Sequence, residues 1–198
     1  MRSALSAFSF AALVTLAPAC DSSEDTGNDF RGSLDVNIQM TMADGGSDDG
    51  SIVWEIVEAE VYEGLELDGQ LHLFIENNAI YDAAGEKTCE VDSPALHSSR
   101  REVIAANGEV LFTVWRNFVF EGTVDVEVEK FDQVKKRFSD QLLFQYEPHE
   151  IFLGEANDGV RLMTTNTDIT AQSEGRKLLM AALMTGKCGA SGLPGYTF

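Results

Sequence analysis

Positive charge is scarce in this chain: 14 Lys and Arg stand against 33 Asp and Glu, a formal net charge of −19. A field of that sign repels phosphates and anionic headgroups, which argues against nucleic-acid binding and leaves a solvated acidic surface as the simplest meaning. Histidine is scarcer still, with His72, His97 and His149 far apart. There is no CxxC, HExxH or GxSxG, and no P-loop, since Gly186-Lys187 is followed by Cys188 where Ser or Thr would be needed. Distant histidines can converge on zinc with a carboxylate such as Glu147 or Glu150, but this spacing does not ask for it, so they read as surface or rim residues. No cofactor is expected. No apolar run reaches the roughly 20 residues that a membrane-spanning helix needs.

What is present begins with an address. Met1-Arg2-Ser3 is a short positive start, and residues 4–17 are uncharged and largely apolar, with Phe8, Phe10, Leu13, Val14 and Leu16. This is the layout of a secretory signal over residues 1–19. The segment ends Leu16-Ala17-Pro18-Ala19-Cys20. It resembles the lipobox of bacterial lipoproteins, in which small residues precede the cysteine that receives diacylglycerol and becomes the new N-terminus. The resemblance covers the first twenty residues and implies lipidation of Cys20. It implies attachment to a bacterial envelope membrane, on the periplasmic or cell-surface side, and no activity. Ala17-Pro18-Ala19 also fits ordinary signal cleavage, so a soluble secreted product is the alternative.

Cysteine arithmetic bears on the choice. With lipid on Cys20, Cys89 and Cys188 remain as an even pair in an oxidising compartment and form one disulfide; without it, a secreted protein keeps an odd thiol.

Residues 20–31 then hold the cysteine and an acidic tether, because 21–29 offer no apolar side chain to a core. Residues 32–198 form one domain of ordinary size. Leu34, Val36, Ile38, Met40 and Met42 alternate with polar residues, as a half-buried strand requires. Residues 52–62 read as a second strand whose apolar phase slips between Ile56 and Val57, which suggests a bulge. Asp68-Gly69, Asn107-Gly108 and Asp158-Gly159, each flanked by apolar runs, signal hairpins. Further strands are expected at 110–115, 124–128 and 142–146, about eight in all, with 79–99 a long break. The expected fold is therefore mostly β, an antiparallel sandwich with a barrel as the alternative. A short C-terminal helix over 178–184 follows, capped near Thr170 or Ser173, stopped by Gly186 and docked on the sheet. Arg176 and Lys177 near its start oppose the helix dipole.

Two acidic groups invite chemistry. Asp44, Asp48 and Asp49 put three carboxylates into a Gly-rich connection, a weak calcium candidate without EF-hand spacing. Glu127 and Glu129 share a strand face, as paired glycosidase carboxylates would, but a Val-Asp-Val-Glu-Val-Glu alternation already explains them. Lys135-Lys136-Arg137, beside Phe131 and Phe138, is the one basic cluster. The sequence thus reads as a non-catalytic envelope lipoprotein, a binding or structural module held to the membrane by its lipid. The alternatives are a carrier of a small apolar ligand in a barrel lined by Phe112, Trp115, Phe118 and Phe120, and an envelope hydrolase using histidine and carboxylates.

Overall fold

The computed structural model describes residues 37–44, 47–65, 69–93, 100–124, 131–193, 196 and 198. The leader, Cys20, the tether, His97, Glu127 and Glu129 lie outside the described residues.

The described residues form twelve antiparallel strands: β1 Ile38–Asp44, β2 Ser47–Val57, β3 Glu60–Glu63, β4 Gln70–Glu76, β5 Ala79–Asp82, β6 Lys87–Asp92, β7 Arg100–Ala105, β8 Val110–Trp115, β9 Phe118–Glu121, β10 Leu142–Glu147, β11 Glu150–Leu153 and β12 Val160–Thr165. A short helix α1, Phe131–Arg137, lies between β9 and β10, and α2, Glu174–Thr185, follows β12. Each strand pairs with its sequence neighbour, and β1 pairs with β12 through Met40↔Thr165 and Met42↔Met163, so the sheet closes on itself. The expected sandwich is corrected to a barrel. Closure removes every edge, whereas period-two alternation is the same for a strand in either architecture.

Twelve strands stand where the alternation predicts about eight, and most of the difference lies at turns without glycine. The single strand expected over 52–62 is the end of β2, a turn at Glu58 and Ala59, and β3; the phase slip is that turn. Glu58 holds φ 50 there, and Arg116 holds φ 57 in the turn between β8 and β9. Left-handed backbone is uncommon for such residues, which is why neither turn is readable. The expected break over 79–99 contains β5 and β6, joined to β4 by the Asn77 and Asn78 turn. Asp44 ends β1 and Asp48 and Asp49 open β2, so this acidic group sits in a paired hairpin instead of a loop. Val124 is buried but belongs to no strand, and residues 125–130 lie outside the described residues.

The helix is where the expectation changes most. Ser173 caps it, accepting from Arg176 N, and Gly186 ends it at φ 66. Every residue from Gly175 to Thr185 is buried. At about 3.6 residues per turn, that burial covers all faces of the helix, which a helix resting on the outside of a sheet cannot achieve. One apolar cluster joins Leu178, Leu179, Met180, Ala181, Ala182, Leu183 and Met184 to residues from all twelve strands. The helix therefore runs through the lumen. An eight-stranded barrel is filled by its own side chains, while twelve strands leave width for a helix about 10 Å across.

Two ends can now be named. β1 begins, and α2 enters, at an upper rim formed by the turns after β2, β4, β8 and β10; α2 leaves at the lower rim, where Cys188 meets Cys89 of β6. The disulfide joins residues 99 apart, the pair expected if Cys20 carries lipid. Beyond it the tail folds back under the helix. A Cβ on Gly186 would lie 3.1 Å from Gly192 Cα, so glycine allows this approach. Leu193 is buried, Ser191 N donates to His72 Nε2 at 3.1 Å, and Phe198 packs edge-on against Phe144. A second, smaller core lies outside the barrel, where Trp115, Phe118 and Phe120 are covered by Val124 and by Val134 of α1.

Candidate functional site

An open cleft of about 730 Å3 lies against β10, β11 and β12, lined by Glu147, Pro148, His149, Glu150, Phe152, Ala156, Asn157, Arg161, Thr164 and Thr165. Strand alternation explains its character. Tyr146 and Ile151 turn inward to the core, so their neighbours Glu147, Glu150 and Phe152 face out. The polar groups of the cleft bond to one another. Arg161 Nη1 lies 2.9 Å from Glu150 Oε1, and Gln145 bridges Glu147 to the loop after β11, donating to the carboxylate and accepting from Ala156 N at 3.0 Å. Thr164 and Thr41 share a hydrogen bond of 2.6 Å across β12 and β1. The result is a polar wall with one half-buried ring, Phe152, among amide and hydroxyl groups.

Three residues weighed as zinc ligands, Glu147, His149 and Glu150, do meet here. His72 does not. It lies near the start of β4 at the lower rim, bonded to the tail, while His149 sits in the turn between β10 and β11 at the upper rim. Among the described residues no group of three or more His, Cys, Asp or Glu is placed to hold a metal ion.

Asp168, just after β12, faces His149. Its Oδ1 accepts from Thr170 N at 2.8 Å and from the Thr170 hydroxyl at 2.6 Å, and the hydroxyl bond holds its carboxyl below the ordinary carboxylate value. A depressed value stabilises the fold above the unfolded pKa and is lost as pH falls through the folded one. Asp168→Asn should therefore flatten the acid limb of a stability-against-pH curve below about pH 4, measured by urea unfolding. An unchanged acid limb would show that this turn contributes nothing.

A second polar group closes the upper rim inside the barrel. Arg176, 2% exposed, donates from Nε to Glu58 O at 3.0 Å and from Nη1 to Gln172 Oε1 at 2.8 Å. Lys177 Nζ donates to Asn117 Oδ1 at 3.3 Å and lies 3.7 Å from Glu174 Oε1. Tyr146, from β10, donates its hydroxyl to Lys177 O at 3.0 Å; burial pushes that phenol far above its usual value. Burial also raises the Glu174 carboxyl, against the opposing pull of Lys177 and Arg101. The two cations that oppose the helix dipole are thus held by the turns around them. Their odd position was the only sequence signal for this group, and Asn117 and Glu174 gave none.

The proposed carrier lining divides. Phe112 faces the lumen, whereas Trp115, Phe118 and Phe120 form the outer core beneath α1. Lys136 and Arg137 of the basic cluster are exposed on α1, with Arg137 over the Phe138 ring at 5.1 Å.

No family model matches the chain, and no curated protein matches it. Among solved structures, it is similar to an X-ray structure of a protein from Arabidopsis thaliana at 12% identity, over 79% of this chain and 93% of that one, with a TM-score of 0.27. That likeness is too slight to bear on fold or function. No helix among the described residues is long and apolar enough to cross a membrane.

Proposed function

We propose that this is a non-catalytic envelope lipoprotein, anchored through lipid on Cys20, that binds a ligand on the outside of a plugged barrel. The observation that carries the reading is the fully buried α2. With that helix filling the lumen, the barrel interior offers no room for a carried ligand among the described residues, and binding falls to the outer surface. The buried Cys89–Cys188 bond supports export, because disulfides persist in oxidising compartments. His72 and His149 lie at opposite rims, which weighs against a hydrolase that would use both.

The anchor is tested by metabolic labelling with a fatty-acid analogue. The wild-type chain takes up label and Cys20→Ser does not; label retained at the N-terminus of the variant rejects the anchor.

The β10–β12 cleft suits a neutral, hydrogen-bonding ligand, since its arginine is paired with Glu150 and an aromatic ring stands among amide and hydroxyl groups. Oligomers of β-1,4-linked N-acetylglucosamine are the probe. In an NMR titration they should shift the signals of Phe152, Asn157 and Thr164 and leave those of β5 and β6 unmoved. Shifts absent at millimolar probe reject the neutral-glycan assignment.

A further inference from the structure

The upper-rim group has a composition that goes beyond holding a helix. An amine, a carboxamide and a carboxyl group are gathered around Lys177: Nζ is 3.3 Å from Asn117 Oδ1 and 3.7 Å from Glu174 Oε1, and the lysine side chain is only 5% exposed. The reacting partners are braced by one residue. Tyr146 N donates to Asn117 O at 2.8 Å, and the Tyr146 hydroxyl donates to Lys177 O. Glu174 Oε2 is buried and makes no hydrogen bond, so one carboxyl oxygen has capacity to carry a proton.

We propose that Lys177 and Asn117 are a self-modification site, at which amine and carboxamide condense into an intramolecular isopeptide bond with Glu174 as proton carrier. Glu174 takes a proton from the Lys177 ammonium, which frees the nitrogen lone pair. That nitrogen attacks Asn117 Cγ, the Nζ–Cγ bond forms, and the tetrahedral adduct collapses as Cγ–Nδ2 breaks. Glu174 returns that proton to the departing nitrogen, ammonia leaves, and the second proton shed by Nζ as it becomes an amide nitrogen passes to the Glu174 carboxylate, which ends protonated. One amide replaces another, so no oxidant or co-reactant is consumed.

The surroundings favour each step. Holding the two groups in contact turns an otherwise negligible transamidation into an oriented, effectively unimolecular reaction, and the burial of Lys177 limits the water that could hydrolyse the product. Proton transfer from the buried lysine to the partly buried glutamate replaces two charges by two neutral groups, which low polarity favours. Burial already holds the Glu174 carboxyl above its ordinary value, with Arg101 of β7 and Lys177 of α2 as the charges opposing that rise. The product would fix α2 covalently to the β8–β9 turn at the upper rim, as the Cys89–Cys188 bond fixes the tail to β6 at the lower rim.

Peptide mapping of the purified full-length protein after disulfide reduction decides the matter. The expected result is a branched peptide joining the segments around Asn117 and Lys177, lighter by one ammonia, about 17 Da, than its two parts. Recovery of both segments only as unlinked linear peptides overturns the proposal, and it does so on the wild-type chain, whatever the variants do. Asn117→Asp should keep the branch, now with loss of water, about 18 Da, and Glu174→Ala should cut branched peptide at least tenfold. Undiminished branching in folded Glu174→Ala would remove Glu174 from its role.

Discussion

Removing the Cys89–Cys188 bond, by reduction or by the pair Cys89→Ala and Cys188→Ala, is expected to lower the stability of the barrel by up to about 4 to 5 kcal/mol. The bond closes a loop between residues 99 apart, and the chain-entropy account makes long loops the most stabilising, through the freedom denied to the unfolded chain. Its position adds a native-state reason. Cys188 lies just beyond the helix stop, and the tail behind it buries Leu193 and sets Phe198 on Phe144, so the bond holds the piece of chain that closes the lower rim. Urea unfolding measures the loss as a lower midpoint. An equal midpoint with and without the bond would show that neither the unfolded chain nor the rim depends on it. A Lys177–Asn117 link nested in the same loop would leave about forty residues free, and because the dependence is logarithmic the expected loss would shrink by under about 1 kcal/mol.

The second large effect is in the lumen. Leu179→Ala should cost about 2 to 5 kcal/mol, the range for a large-to-small change in a packed core, because residues enclosed by a closed sheet have little freedom to collapse on the void. Leu179→Asp should abolish folding, since the carboxylate would enter an apolar cluster with no partner there. Val160→Ala is the control: that side chain is 57% exposed, and its loss should stay within about 0.5 kcal/mol. Thermal unfolding of the three variants separates a lumenal helix from one resting on the outside, for which Leu179→Ala would cost little more than the control.

Much of the local structure was legible. The strand over residues 110–115 is β8, and Asn107-Gly108 and Asp158-Gly159 do lie in the turns before β8 and β12. Ser173 and Gly186 bound the helix because capping is a matter of neighbouring backbone groups. Turns at Glu58 and Arg116 were not legible, since their left-handed backbone is imposed by the strands on either side and not favoured by the residues themselves. Of the candidate site, Glu147, His149 and Glu150 were visible as chemistry. Arg161, the ionic partner of Glu150, comes from a different strand, and nothing in its neighbourhood along the chain announces the pairing.

Residue identity and short-range spacing suffice for the alternation that makes these segments strands, for the caps of α2 and for the excess of negative charge. Closure of the sheet, the place of the helix inside it and the meeting of Lys177 with Asn117 and Glu174 arise only in the assembled fold. A strand of given pattern pairs equally well in a sandwich or a barrel, and an apolar helix is buried by either. What selects between them is whether the first and last strands can meet around a core wide enough to need filling, a property of all twelve strands together.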